Sequence, residues 1–189
     1  MAPLVVGNSL IFQPTGFTAE SLNGAGAVTA NETLVIDVAA TTPGFNITSL
    51  LMAEQGDYIQ DGIDASVTAS MRLGVTSTTT TCGIFACNDN SITNVAPFGD
   101  TGGATANWSG SATVDLASTA GWGSDSAVQV SFQNNLSATT LNGGEIARIQ
   151  KKSGGVGLYV NAVPLPAAAW LFAAGLLGLA GVARRRRRS

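Results

Sequence analysis

The sequence predicts an all-β chain: a single antiparallel β-sandwich, jelly-roll-like or immunoglobulin-like, followed by a C-terminal transmembrane helix. Three observations lead there. Short runs of alternating apolar and polar residues recur through residues 1–162, separated by turn signals at spacings of about 8–12 residues. Charged residues make up only 11% of the chain, while glycine contributes 23 of 189 residues, a composition of strands and turns. An unbroken apolar run then fills residues 167–183 and ends in consecutive arginines.

The strands can be placed in order. Residues 4–12 open with an apolar run. Residues 25–30 and 34–39 flank Asn31-Glu32-Thr33, which reads as a turn or short hairpin loop. Residues 49–60 begin with Ser-Leu-Leu-Met-Ala-Glu, good helix formers, and form the one segment of the domain that reads as helical. Residues 64–75 alternate as a half-buried strand does, with Ala65, Val67, Ala69, Met71 and Leu73 on one face. The threonine run 76–81 fits strand or loop, and residues 88–107, rich in Asn, Asp, Gly and Thr, read as loop. Alternation returns at 111–117 and at 127–136, where Val128, Val130, Phe132 and Asn134 share a face. Residues 144–151 and 156–161 read as a final hairpin, because Lys152-Ser153-Gly154-Gly155 offers the positive φ angles of a tight turn.

Residues 1–162 suit one domain. They hold all twelve acidic residues against four basic ones (Arg72, Arg148, Lys151 and Lys152), a net charge of −8. A nucleic-acid binder presents a basic face, so no nucleic-acid partner is expected.

Chemistry is sparse. The chain has no histidine, which removes Ser-His-Asp and Cys-His catalysis and the usual zinc hydrolase sites together. Two carboxylates suffice for a glycosidase, but acidic residues on such a surface are ordinarily solvated charge, so no catalytic residue and no cofactor is assigned. Asp57, Asp61 and Asp64 in Asp-Tyr-Ile-Gln-Asp-Gly-Ile-Asp are candidate calcium ligands, since hard cations take oxygen donors; their spacing does not match an EF-hand. Trp108 and Trp122 sit in Gly/Ser-rich surroundings. Packing in the core is the usual fate of such tryptophans; the alternative is an exposed platform for stacking on sugar rings. Cys82 and Cys87 are the only cysteines. In an oxidising compartment they form a local disulfide closing a loop tip. A metal site would need further ligands, and a redox motif would normally be Cys-x-x-Cys.

Each part of the tail has one physical role. Val163, Pro164, Leu165 and Pro166 interrupt preceding structure, and residues 167–183 carry no charge. At about 1.5 Å per residue this run spans roughly 25 Å as a helix, just under a hydrocarbon core of ~30 Å. A soluble helix would show a polar face every three or four positions. Arg184, Arg185, Arg186, Arg187 and Arg188 are a membrane stop, and basic flanks stay cytoplasmic, which places the domain outside.

The pattern VPLPAAAWLFAAGLLGLAGVARRRRR closely resembles the C-terminal sorting signals called PEP-CTERM, in their VPLPA variety, with Leu165 standing between the two prolines. The resemblance covers Val163 to Arg188. It implies export in a Gram-negative bacterium, a temporary hold in the inner membrane, and recognition by an exosortase-type enzyme. That enzyme would process the chain near the Pro motif and release it to the cell surface or extracellular matrix. Residues 1–162 are then an extracytoplasmic domain and 163–189 the sorting signal. Met1 to Gly7 show neither a basic n-region nor an apolar stretch, so an export signal removed from, or lying upstream of, this chain is expected. The expected role is structural or adhesive, with a module binding matrix polysaccharide as the alternative.

Overall fold

The computed structural model describes residues 3–95 and 98–164. Its strands, in chain order, are β1 (Leu4–Val6), β2 (Ser9–Phe12), β3 (Thr18–Leu22), β4 (Gly26–Ala39), β5 (Phe45–Asp61), β6 (Ser66–Cys82), β7 (Phe85–Val95), β8 (Ala106–Asp115), β9 (Ala127–Thr140) and β10 (Ile146–Pro164). A 3-10 turn, Leu116–Ser118, follows β8. The strands make two antiparallel sheets, as the β-sandwich expectation requires. One is six-stranded in the order β1-β2-β10-β5-β8 with β3 also beside β10; the other is four-stranded, β4-β9-β6-β7.

Strand β10 organises the larger sheet. On one side it pairs with β5 along its length; on the other, Ile146 to Gln150 pair with β3 and Val156 to Tyr159 with β2. From β3 onward the chain changes sheet at every connection except the β6–β7 hairpin. That hairpin turns at Gly83-Ile84, where Gly83 takes a φ of +78° that favours glycine.

Alternation explains the burial. Ala65 leads into β6, where Val67, Ala69, Met71, Leu73 and Val75 point inward; β9 turns in Val128, Val130, Phe132 and Leu136, and β8 Ala112 and Val114. Two apolar clusters result. One gathers Leu50, Met52, Met71, Leu73, Phe132 and Leu158. The other gathers Ala19, Val67, Trp108, Leu136, Ala147 and Ile149.

Four local expectations are corrected. Residues 49–60 are not helical but the middle of β5, between β8 and β10. The helix-forming Leu-Leu-Met-Ala-Glu run also alternates, with Leu50, Met52 and Glu54 buried, and pairing on both edges overrides a weak propensity. Asn31-Glu32-Thr33 is not a turn: β4 runs through it, paired residue by residue with β9. Residues 152–155 do not turn the chain back; β10 continues across them with a register irregularity against β5 between Lys151 and Val156. Glycines inside a strand often mark such a bulge. Residues 88–107 are only partly loop, since β7 occupies them to Val95 and β8 begins at Ala106.

Strand β10 ends within the expected Pro motif, with Val163 and Pro164 opposite Asn46 and Phe45. Leu165, Pro166, the apolar run 167–183 and Arg184 to Arg188 lie outside the described residues. Among the described residues no helix is long and apolar enough to cross a membrane.

Candidate functional site

One level of the sandwich interior, between the two apolar clusters, is occupied by three polar side chains. Glu54 follows Leu50 and Met52 on the inner face of β5, and Lys151 follows Ala147 and Ile149 on that of β10. Asn134 lies between Phe132 and Leu136 on β9, in the opposite sheet. Lys151 Nζ donates to Glu54 Oε1 at 2.6 Å, with the two side chains only 1% and 2% exposed. The Asn134 amide also faces this carboxylate. Its Oδ1 is buried and has no hydrogen-bond partner among the described residues. This layer separates the two apolar clusters.

Burial sets its electrostatics. Desolvation pushes the Glu54 carboxyl above its usual range, opposed by the Lys151 ammonium and the Asn134 amide. Desolvation likewise pushes the Lys151 amine down, opposed by Glu54. The Phe17 ring lies 5.0 Å from Lys151 Nζ and shields it further. A cleft of about 510 Å³ opens over this level, with Phe12, Phe17, Ile36 and Phe132 in its walls and Lys151 and Asn134 among its lining residues.

The tryptophans and aspartates singled out from the sequence lie outside this layer. Trp108 and Trp122 are 6% and 7% exposed, so neither offers a ring face to a sugar. The Trp108 Nε1–H donates to the Gln150 carbonyl at 3.2 Å across Gly56, where any Cβ would run into that carbonyl and the indole. Trp122 Nε1–H donates to Asp125 Oδ2 at 3.0 Å. Asp125 also accepts from Ser77 Oγ, Thr79 Oγ1 and the Ala127 amide, tying the loop before β9 to β6. Although burial opposes it, these hydrogen bonds hold the Asp125 carboxyl below its usual range.

Asp57, Asp61 and Asp64 do not converge. Asp57 meets Lys152 Nζ at 3.4 Å, Asp61 ends β5 opposite Ile146, and Asp64 Oδ2 accepts from Asn142 Nδ2 at 2.8 Å. Among the described residues no group of three His, Cys, Asp or Glu could hold a metal ion. Glu145 anchors a neighbouring loop by accepting from the Asn142, Asp64 and Leu141 amides at 2.9, 2.9 and 2.8 Å. Cys82 and Cys87 are joined in a disulfide at the β6–β7 tip, as expected.

The sequence reading missed the Glu54–Lys151–Asn134 layer. A signal existed for Lys151, because the alternation of Ala147 and Ile149 carries it to the buried face. No local pattern brings β5, β9 and β10 together.

No protein-family model and no curated protein matches the chain. Among solved structures it is similar to two of infectious bursal disease virus. For the Gt strain the identity is 14% and the TM-score 0.29, over 85% of this chain and 42% of that one. For the Gx strain the values are 16% and 0.31, over 85% and 41%. The VP2 subviral particle of the same virus gives 14% and 0.22. The chain spans about two fifths of the length of the Gt and Gx chains it matches. Likeness at this level does not bear on function.

Proposed function

We propose that the chain is an exported cell-surface or extracellular-matrix protein of a Gram-negative bacterium. An exosortase-type enzyme sorts it and processes it near Val163, Pro164, Leu165 and Pro166, and its role is structural or adhesive rather than enzymatic. We read the sandwich as a jelly roll, because nearly every connection after β3 changes sheet, as in double Greek-key sandwiches.

The observation that carries the reading is the junction at the end of β10. This strand, paired with β5 as far as Pro164, runs into the Pro motif. On this reading the proposed signal begins where the paired part of β10 ends. The Cys82–Cys87 disulfide supports an oxidising compartment. Strands β6 and β10 run toward the same end of the sandwich, where Asp125 bridges Ile47, the partner of Ala162, and accepts from Ser77 of β6, and the β6–β7 tip there presents Ile84 and Phe85, 89% and 72% exposed. A chain held by its tail would bring that tip near the bilayer surface. Polysaccharide remains a partner class for an adhesive role, though not through Trp108 or Trp122.

The test is fractionation of producing cells. Wild-type chain is expected at the surface or in the medium, whereas a Pro164→Ala/Pro166→Ala double variant is expected to stay at full length in the inner membrane. Equal release of both forms would contradict the proposal.

A further inference from the structure

The polar layer brings together three groups whose chemistry is complementary. Lys151 carries a primary amine, Asn134 a carboxamide, and Glu54 a carboxyl 2.6 Å from the amine and facing the amide. Lys151 and Asn134 approach from opposite sheets, between the two apolar clusters. A buried ion pair is a poor source of net stability, because desolvating both charges offsets their attraction. The unpartnered Asn134 Oδ1 adds a further cost. Reaction of the amine with the amide removes the ion pair and leaves a neutral Glu54 acid able to donate to Oδ1.

We propose that Lys151 Nζ and Asn134 Cγ become joined by an isopeptide bond between β10 and β9, with Glu54 as the proton carrier. The Glu54 carboxylate first takes a proton from the Lys151 ammonium. The neutral amine then attacks Asn134 Cγ, forming a C–N bond while charge gathers on Oδ1, where the Glu54 acid can donate. Collapse of this tetrahedral centre breaks the Cγ–Nδ2 bond. Having given its first proton to Oδ1, Glu54 relays the attacking nitrogen's surplus proton to Nδ2, which leaves as ammonia through the cleft, and takes back the Oδ1 proton as the carbonyl re-forms, ending as the neutral acid. Nothing is oxidised or reduced, and no co-reactant is consumed. Burial favours the first transfer, since it disfavours both charged forms. Holding amine and amide in one cavity replaces an encounter with an intramolecular step. The product leaves a neutral amide where an ammonium stood and covalently staples the two sheets at the level where their apolar contact is interrupted. The inference rests on the sandwich alone and is independent of the fate of the tail.

The intact mass of the full chain, purified and reduced, tests it. The expected mass is lower than the sequence mass by one ammonia, about 17 Da. Trypsin is expected not to cut after Lys151, leaving residues 149–152 attached to the peptide spanning residues 73–148, which contains Asn134. Glu54→Gln and Asn134→Ala are each expected to restore their own full sequence mass and the cut after Lys151. A wild-type chain at full sequence mass with a free peptide ending at Lys151 would overturn the proposal, whatever the variants do. So would an ammonia loss that persists in Asn134→Ala.

Discussion

Replacing Trp108 with alanine separates a core tryptophan from a sugar-binding one. The indole is 6% exposed and packs with Val67, Leu136 and Ile149. A buried indole withdraws roughly 150–250 Å² from water, which at about 25 cal/mol per Å² corresponds to about 4–6 kcal/mol. The denatured chain already hides part of that surface, so this figure is an upper bound. Trp→Ala changes in cores cost about 3–5 kcal/mol, and the lost bond to the Gln150 carbonyl adds about 1 kcal/mol. We expect about 4 kcal/mol from a total of about 5–15 kcal/mol. Urea unfolding followed by far-UV circular dichroism should show it. With a slope near 2 kcal/mol per molar, the midpoint falls by about 2 M. Trp108→Phe keeps the apolar ring but not the donor and should cost about 1–2 kcal/mol. Gly56→Ala drives a methyl into the Gln150 carbonyl oxygen and to 2.5 Å from indole Nε1, and should cost about 3 kcal/mol or more with Trp108 unchanged. A midpoint shift under about 0.5 M for Trp108→Ala would refute the burial and restore the exposed reading.

Two further predictions concern carboxylates that fasten loops. Asp125→Ala leaves the Trp122 N–H and the Ser77 hydroxyl without their acceptor. At about 1–3 kcal/mol per stranded group, a loss near 3 kcal/mol is expected. That lowers the thermal midpoint by roughly 6–12 °C for a domain of this size; an unchanged calorimetric Tm would contradict the hub. Hydrogen bonds from the amides of Asn142, Asp64 and Leu141 hold the Glu145 carboxyl down at about 2, against an ordinary 4.5. A depressed carboxyl contributes stability that is complete above its unfolded pKa and is lost as pH falls from about 4.5 through about 2. Acid unfolding should therefore be steeper over that window in the wild type than in Glu145→Gln, and superimposable curves would contradict the assignment.

The sequence disclosed β6 and β9, whose buried faces alternate cleanly, but not β5, read as helical, nor β3, whose five residues bury only Ala19 and Ser21. Residues 64–75 and 127–136 alternate cleanly because β6 and β9 are interior strands of the smaller sheet and pack one face on the core. Edge strand β4 is mostly exposed on both faces, so nothing in Asn31-Glu32-Thr33 marked it as strand. Strand β5 was hidden by residues that favour helices locally, although Gly56 and its two pairing partners decide otherwise. The glycines after Lys152 coincide with a register break in β10 rather than a reversal, and local composition does not distinguish these. The disulfide was legible because two cysteines so close in sequence leave few alternatives. The Glu54–Lys151–Asn134 layer was not, since it exists only once two sheets are stacked.

Mass spectrometry of the native protein, recovered separately from cells and from medium, tests the proposed sorting most directly. A mature C-terminus at or near Val163 to Pro166 is expected in the released fraction. The inner-membrane fraction should hold the precursor that still carries Arg184 to Arg188. A released chain that retains all five arginines would contradict it.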